Sequence, residues 1–498
     1  MAIGVVGLLL VVALGLALFR PRAALMTVVF LAPWAGLDVD IGLRVTAHVI
    51  FLAPLAGIMF LRVVQSAGSF ATAASLGAFW LVMAYSVLWS LAQIPFLPDA
   101  AVAGGSLRSP EFRALFQIVR FLIEVSPIFI VPLIAKNFQD IVGLVKTYLI
   151  SVAILATLGW VQLGIWSETG QNPFPIGYVH TLLGVEGSVR SGQMLFEGSW
   201  IYRMNSFGGE PKGLGVGLAV GLLLIQAGVR GAGKVGVFLW PFLFVSMVAT
   251  FSTMALLAWF GGSLVLYATP RNLKLILPKL PSKVKSPVFI TAMVAGAAVL
   301  FALCVTPESR IVQLVEMRTI ERVTSGEEHS GFLEDFNVAV LGYLQANPLA
   351  GFLGVGLGNI HLYADPFLPD YAISYASGTS FVAKSGLLRW VSELGLLSFL
   401  AFFFWALGRF RTAGNLLESR LGGEQFAIVL SKATTAITAF WLVSGYISPQ
   451  FYLMVGITVA VVGISRAQGH SGATSSYFLP STSQQPMGDT SHIQSRPL

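Results

Sequence analysis

Several groups of side chains in this chain have the residue types and spacing that binding or catalysis requires. Arg318 and Arg322 stand four residues apart in RIVQLVEMRTIERV (310–323). On a helix their guanidiniums point the same way and can bracket a diphosphate with forked hydrogen bonds. Glu316 and Glu321 supply the other reading of the same segment, a salt-bridged solvent face. Arg203, Glu210 and Lys212 stand just ahead of a run with no charge at all, GLGVGLAVGLLL. Glu327, Glu328, His329, Glu334 and Asp335 form an acidic knot with one histidine, which fits either a cation site or a solvated loop. Arg120 and Glu124 are four apart, spaced to pair on one helix face, either as a self-neutralising couple near an interface or as a functional pair.

These residues must be positioned by membrane-spanning elements. The 498 residues are 55% hydrophobic and 11% charged, with mean hydropathy +0.78, whereas a soluble domain carries roughly a quarter charged residues. A hydrocarbon core about 30 Å thick takes about 20 apolar residues per helix, and about 13 stretches qualify. They cover residues 3–19, 23–35, 46–63, 73–94, 117–135, 141–164, 213–229, 235–251, 253–268, 287–305, 386–408, 426–446 and 450–465. The first is expected to be a retained span, because no basic segment precedes it and no small-residue cleavage site ends it. The second is short enough to tilt or to lie partly in the interface.

Basic residues fall in every second connection: Arg20 and Arg22, Arg62, Lys136, Arg230 and Lys234, the group from Arg271 to Lys285, Arg409, Arg411 and Arg420, then Arg466. That distribution predicts an amino terminus outside, a carboxyl terminus in the cytoplasm, and long outer segments at 95–116, 165–212 and 306–385. The expected organisation is therefore N-terminal spans (1–164), a first large outer loop (165–212), central spans (213–305), a second large outer loop (306–385), C-terminal spans (386–465) and a tail (466–498). The tail is rich in Ser, Gln, Pro and Gly without apolar periodicity, which reads as disorder.

Composition excludes some classes. A single cysteine, Cys304, can form no intramolecular disulfide and no metal site by itself. The net charge of +7 follows the membrane connections and is not a nucleic-acid footprint. Related halves of the transporter kind are not visible, and ionisable groups gather at span ends and in outer loops, whereas an ion pathway places acids inside spans.

The first outer loop interleaves Glu168, His180, Glu186, Arg190, Glu197, Arg203, Glu210 and Lys212 with Trp166, Tyr178, Trp200 and Tyr202. This mixture fits an interfacial aromatic belt, or sugar stacking combined with anion binding. Pro211 suits a first helical turn and Glu210 the positive end of the helix dipole, so a helix is expected to begin there. Gly213, Gly217 and Gly221 then recur every fourth residue, which permits close helix packing. A phosphate-binding glycine loop would need a preceding strand. In the second loop Ile311, Leu314, Val315 and Ile320 share one face, predicting an amphipathic helix on the membrane surface. GFLGVGLGN (351–359) reads as a flexible turn at the mouth of the site.

In order along the chain, four segments resemble the O-antigen ligase and polysaccharide polymerase family of bacterial inner-membrane proteins. YRMNSFGGEPKGLGVGLA (202–219) is similar to the family's arginine, glycine, asparagine-or-glutamate, proline stretch that leads into a span. ATFSTMALLAW (249–259) resembles its tight hairpin, with Thr253 where an arginine is usual. ANPLAGFLGVGLGN (346–359) resembles N-P-x-x-G-x-G-x-G-N, and KSGLLRWVSELGLLSF (384–399) resembles the stretch ending in E-L-G. The histidine-asparagine pair that ligases carry before E-L-G has no counterpart at Lys384, Ser385 and Gly386, which favours a polymerase.

The resemblance implies an all-α, GT-C-like integral-membrane glycosyltransferase with about 12–13 spans and two large extracytoplasmic loops. Its substrate would be undecaprenyl-diphosphate-linked oligosaccharide at the outer face of the bacterial inner membrane, without cofactor or metal. Membrane lipid and a chain-length regulator or export proteins would be its partners, and nucleic acid would not. Such a site must hold a lipid diphosphate and stabilise the charge that develops as it departs. On that basis Arg203, Arg318, Arg322 and Arg389 are the expected substrate ligands, with Arg318 also acting catalytically. Glu210, then His329, are the candidates for taking the acceptor's proton, and Glu393 is weighed as a helix-start residue. Other readings are a ligase, a lipid-linked sugar flippase or solute permease, and a structural envelope subunit.

Overall fold

A computed structural model describes residues 2–40, 44–98, 109–169, 179, 193–196, 199–226, 233–252, 255–256, 259–263, 335–370, 381, 383, 385–418 and 449–475. Among these the chain forms helices α1 (Ala2–Phe19), α2 (Pro21–Leu31), α3 (Ala47–Gln65), α4 (Ala67–Ala74), α5 (Ala78–Gln93), α6 (Pro110–Val125), α7 (Pro127–Ile134) and α8 (Phe138–Thr169). Then follow α9 (Pro211–Gln226), α10 (Gly233–Ala249), α11 (Asp335–Ala346), α12 (Pro348–Leu353), α13 (Ile360–Ala364), α14 (Gly386–Glu418) and α15 (Pro449–Ser475). Three short 3-10 helices (Ile94–Phe96, Ser206–Gly208 and Asp365–Phe367) and two antiparallel strand pairs are also described: β1 (Asp38–Asp40) with β2 (Arg44–Thr46), and β3 (Gln193–Phe196) with β4 (Ser199–Tyr202).

The architecture is that of an all-α membrane protein. Five described helical stretches are long and apolar enough to cross a bilayer: Ala47–Gln65, Ala78–Phe96, Pro110–Ile134, Phe138–Thr169 and Gly386–Arg409. Shorter apolar helices cover Gly4–Phe19, Pro21–Leu31, Pro211–Gln226, Phe238–Ala249, Phe336–Ala346 and Gln450–Ile464. Of the expected spans, 287–305 and 426–446 lie outside the described residues, as does the proposed surface helix at 310–323.

Element boundaries follow local chemistry. Helix α6 begins seven residues before the span expected from hydropathy (Pro110 against 117), because Ser109 caps it by accepting the Phe112 N–H at 3.3 Å. It ends where Pro127, which has no N–H to donate, starts α7. The expected span at 73–94 is divided by Gly77, at φ 56°, into α4 and α5. At the carboxyl end α15 runs on to Ser475, beyond the point at which the tail was expected to begin. Once a helix is nucleated, each added residue gains a backbone hydrogen bond, and polar residues extend it.

One hydrophobic core joins α1 to α3 and α5 to α10 with α14 and α15, and its largest fully buried side chains include Trp390, Tyr148 and Tyr452. Helix α9 is buried on every side over Gly213–Leu224, as expected for a helix that is apolar all round. Its glycines are what allow this. A Cβ at Gly221 would stand 3.1 Å from the Val152 side chain on α8, and one at Gly217 would stand 3.2 Å from Pro33. The Tyr148 hydroxyl of α8 donates to the Gly217 carbonyl at 3.1 Å. A smaller, separate core of Ala339, Val340, Tyr343, Val355, Ile360, Ala364, Leu368, Phe381 and Ala383 gathers α11 to α13.

Candidate functional site

The described residues of 202–219, 249–259, 346–359 and 384–399 come together in two pairs. The first pair is 202–219 with 249–259. The Met204 N–H donates to the Ala249 carbonyl at 3.1 Å, and Gly215 packs so closely on this stretch that a Cβ there would meet the Ala255 side chain at 2.6 Å. Helix α9 begins at Pro211, with the Glu210 carbonyl accepting from the Leu214 N–H at 3.1 Å. Just before it, Ser206 holds a left-handed φ of 46° while its N–H donates to Gln162 Oε1 at 2.8 Å. Arg203 is half-buried, Glu210 exposed, and the two lie within electrostatic reach. Burial pulls the Arg203 guanidinium below its ordinary value and Glu210 opposes this. Arg203 Nε is buried without a hydrogen-bond partner. Trp166 stacks on Tyr202 with ring centroids 5.2 Å apart, and burial pushes the Tyr202 phenol up.

The second pair is 346–359 with 384–399. Helix α14 breaks at Gly395, at φ 85° and ψ 155°, inside E-L-G. The break frees the carbonyls of Ser392 and Glu393, which accept from the N–H groups of Val355 and Gly356, both at 2.9 Å. The two glycine segments meet backbone to backbone. A Cβ on Gly354 would stand 2.5 Å from the Glu393 carbonyl oxygen, and one on Gly395 would stand 2.3 Å from that of Phe352. Further bonds hold the same loop: Tyr85 Oη to the Leu353 carbonyl at 2.9 Å, Trp89 Nε1 to that of Gly354 at 3.0 Å, and the Leu357 N–H to Ser90 Oγ at 3.1 Å. The sequence reading of 351–359 as a flexible turn is therefore corrected. Gly354, Gly356 and Gly358 take positive φ because the segment is clamped against three neighbours.

Beneath this clamp lies a cavity lined by Gln117, Arg120, Phe121, Glu124, Leu357, Arg389, Trp390, Glu393, Leu394 and Tyr452. Arg120 Nε donates to Glu124 Oε1 at 2.7 Å and Arg389 Nε to Glu393 Oε1 at 3.3 Å, each an i, i+4 ion pair. Arg389 and His48 both stand within electrostatic reach of Glu124, and Arg113 within reach of Glu393. His48 is buried, its Nδ1 2.9 Å from Thr46 Oγ1 and its Nε2 without a partner. His361, also buried, is the second residue of α13; burial, then Arg113, lower its imidazole to about 4, against the Gly358 carbonyl. A site so built can grip an anion with guanidiniums and accept a proton on a carboxylate.

Of the expected site residues, Arg203 and Glu210 fall in the first pair and Arg389 in the cavity, whose lining includes neither Arg203 nor Glu210. Arg318, Arg322 and His329 lie outside the described residues. Glu393 is not at a helix start: α14 begins at Gly386, and Glu393 sits at its break, paired with Arg389. Sequence reasoning missed Arg113 and Gln117. With Arg120 and Glu124 they recur at i, i+4, i+7 and i+11 along α6, between a buried stripe (Ala114, Ile118, Phe121, Val125) and an exposed apolar one (Phe112, Leu115, Val119, Leu122). That polar stripe was a visible signal. His48 and His361 gave none in sequence, since only the fold buries them among charges. Among the described residues no group of three or more His, Cys, Asp or Glu could hold a metal ion. No family model matches the chain, and no curated protein shows significant similarity to it.

Proposed function

We propose that this chain is a membrane glycosyltransferase that joins lipid-diphosphate-linked oligosaccharides, of the undecaprenyl type, into a surface or exported polysaccharide. The observation that carries the reading is the cavity under the clamp, where Arg120 and Arg389 on facing helices stand beside two carboxylates. Guanidiniums suit a diphosphate because their planar fork matches its oxygens, and stabilising charge on a departing diphosphate is the main lever such a reaction needs. Arg203, Arg318 and Arg322 serve the same lipid carrier from the segments expected outside the membrane, where Glu210 and His329 are the proton acceptors expected from sequence. Purified protein given lipid-linked repeat units should lengthen the saccharide on the lipid, and Arg389→Lys or Arg203→Lys should suppress it. Normal length and yield with either variant would remove that residue from the proposal.

A specific observation also favours transport of the lipid-linked saccharide. Arg120, Glu124, Arg389 and Glu393 line a cavity between apolar helices, and α14 is broken beside it, as in transporters that bind solutes at discontinuous helices. Movement of the lipid across vesicle membranes with unchanged saccharide length would favour this second reading.

A further inference from the structure

We infer that Glu393, rather than Glu210, receives the acceptor hydroxyl's proton in the proposed transfer. The inference rests on the glycosyltransferase reading. In the step, the acceptor O–H bond breaks and its proton passes to the Glu393 carboxylate. The acceptor oxygen forms the new bond to the anomeric carbon. The bond from that carbon to the diphosphate oxygen breaks, and its electron pair leaves on the diphosphate. Arg120 and Arg389 stand in the same cavity, where that charge appears.

Three carboxylates compete for the role, and geometry separates them. Glu210 is exposed at the start of α9 and is absent from the cavity lining. Glu124 is gripped by Arg120 at 2.7 Å and also feels Arg389 and His48. That short charge-assisted bond leaves its Oε1 already occupied by a donor. Glu393 has the longer contact, 3.3 Å to Arg389, and Arg113 and Tyr452 also stand within its electrostatic reach. Its backbone is also fixed at the clamp. Its own carbonyl takes the Gly356 N–H at 2.9 Å, its residue is 2% exposed, and it stands two residues before the break at Gly395. A base fixed by both main chain and side chain holds the tolerance that proton transfer needs, since misplacement by about 1 Å is costly. Non-helical backbone at membrane depth is found where it is buried or lines a cavity.

The test compares Glu393→Gln, Glu393→Asp and Glu210→Gln in the full-length purified protein, following saccharide extension on the lipid carrier against pH. Gln can still accept the Arg389 N–H, so the fold should persist, which a melting curve checks. Glu393→Gln should lower kcat about 100-fold or more while KM changes little, and should abolish the fall in rate on the acid side of the profile. Glu393→Asp should keep that acid limb at a reduced rate. A Glu393→Gln protein that retains more than about a tenth of the rate, or keeps the limb, overturns the inference alone. So does loss of the limb in Glu210→Gln. A wild-type protein that never extends the saccharide overturns the reaction and the inference together.

Discussion

Replacing Gly395 by alanine should unfasten the clamp between the two glycine segments. The residue sits at φ 85° and ψ 155°, a region in which a Cβ costs of order 1–3 kcal/mol. That Cβ would also lie 2.3 Å from the Phe352 carbonyl oxygen and 2.6 Å from the Leu353 carbonyl carbon. Both are backbone atoms that cannot swing aside, so the 352–356 segment must shift. The bonds from Val355 and Gly356 to the freed carbonyls of Ser392 and Glu393 are then weakened, at about 1 kcal/mol each. The combined loss is about 3–5 kcal/mol, large beside ordinary substitutions. Thermal unfolding of the detergent-solubilised protein is the assay, with Gly57→Ala as control, since a Cβ at Gly57 on α3 meets nothing within 4 Å. The control should melt at or slightly above the wild-type temperature, because alanine favours a helix. Gly395→Ala should melt several degrees lower. If it melts with the control, the clamp does not contribute as argued.

On α9, Gly221→Leu should destabilise by about 1–3 kcal/mol through overpacking, because Val152 and Leu243 already stand 3.1 and 3.4 Å from its Cβ position; the melting temperature reads this directly. For Arg120 and Glu124, a double-mutant cycle with alanine should give a coupling of about 1 kcal/mol by unfolding in denaturant, reduced because Arg120 is 40% exposed. His361, lowered from 6.5 to about 4 in the fold, is favoured in its neutral form. Its contribution is therefore complete above pH 6.5 and is lost as pH falls toward 4. The melting temperature should drop over that interval in wild type, and by less in His361→Gln. Equal drops would place the acid sensitivity elsewhere.

What could be read from the sequence was what depends on local pattern. Apolar run length marked the five described helices long enough to cross a bilayer, Pro211 marked the start of α9, and the four-residue spacing of Gly213, Gly217 and Gly221 marked a close-packed face, because each follows from neighbours in sequence. The Arg120–Glu124 pair was legible for the same reason. The cavity was not. It depends on α6 meeting α14 and on a loop 35 or so residues upstream of E-L-G docking there, and no periodicity encodes which polar stripes face each other. Gly354 and Gly395 read as unrelated turn residues until their backbones are seen in contact. Glu393 was assigned by its place near the start of a span, and only the kink at Gly395 reveals its setting.

The bond from Tyr148 to Gly217 has a consequence for how the protein is made. The two residues are 69 apart, so α8 enters the bilayer with a phenol hydroxyl and no acceptor until α9 has been synthesised. An unpaired hydroxyl in hydrocarbon is costly, which gives the newly inserted α8 a reason to stay beside polar groups of the insertion machinery or to hold its position for the arriving glycine face. Assembly of this bundle is thereby tied to the order of translation, and a chain halted between the two helices should be more readily degraded than one halted after α9.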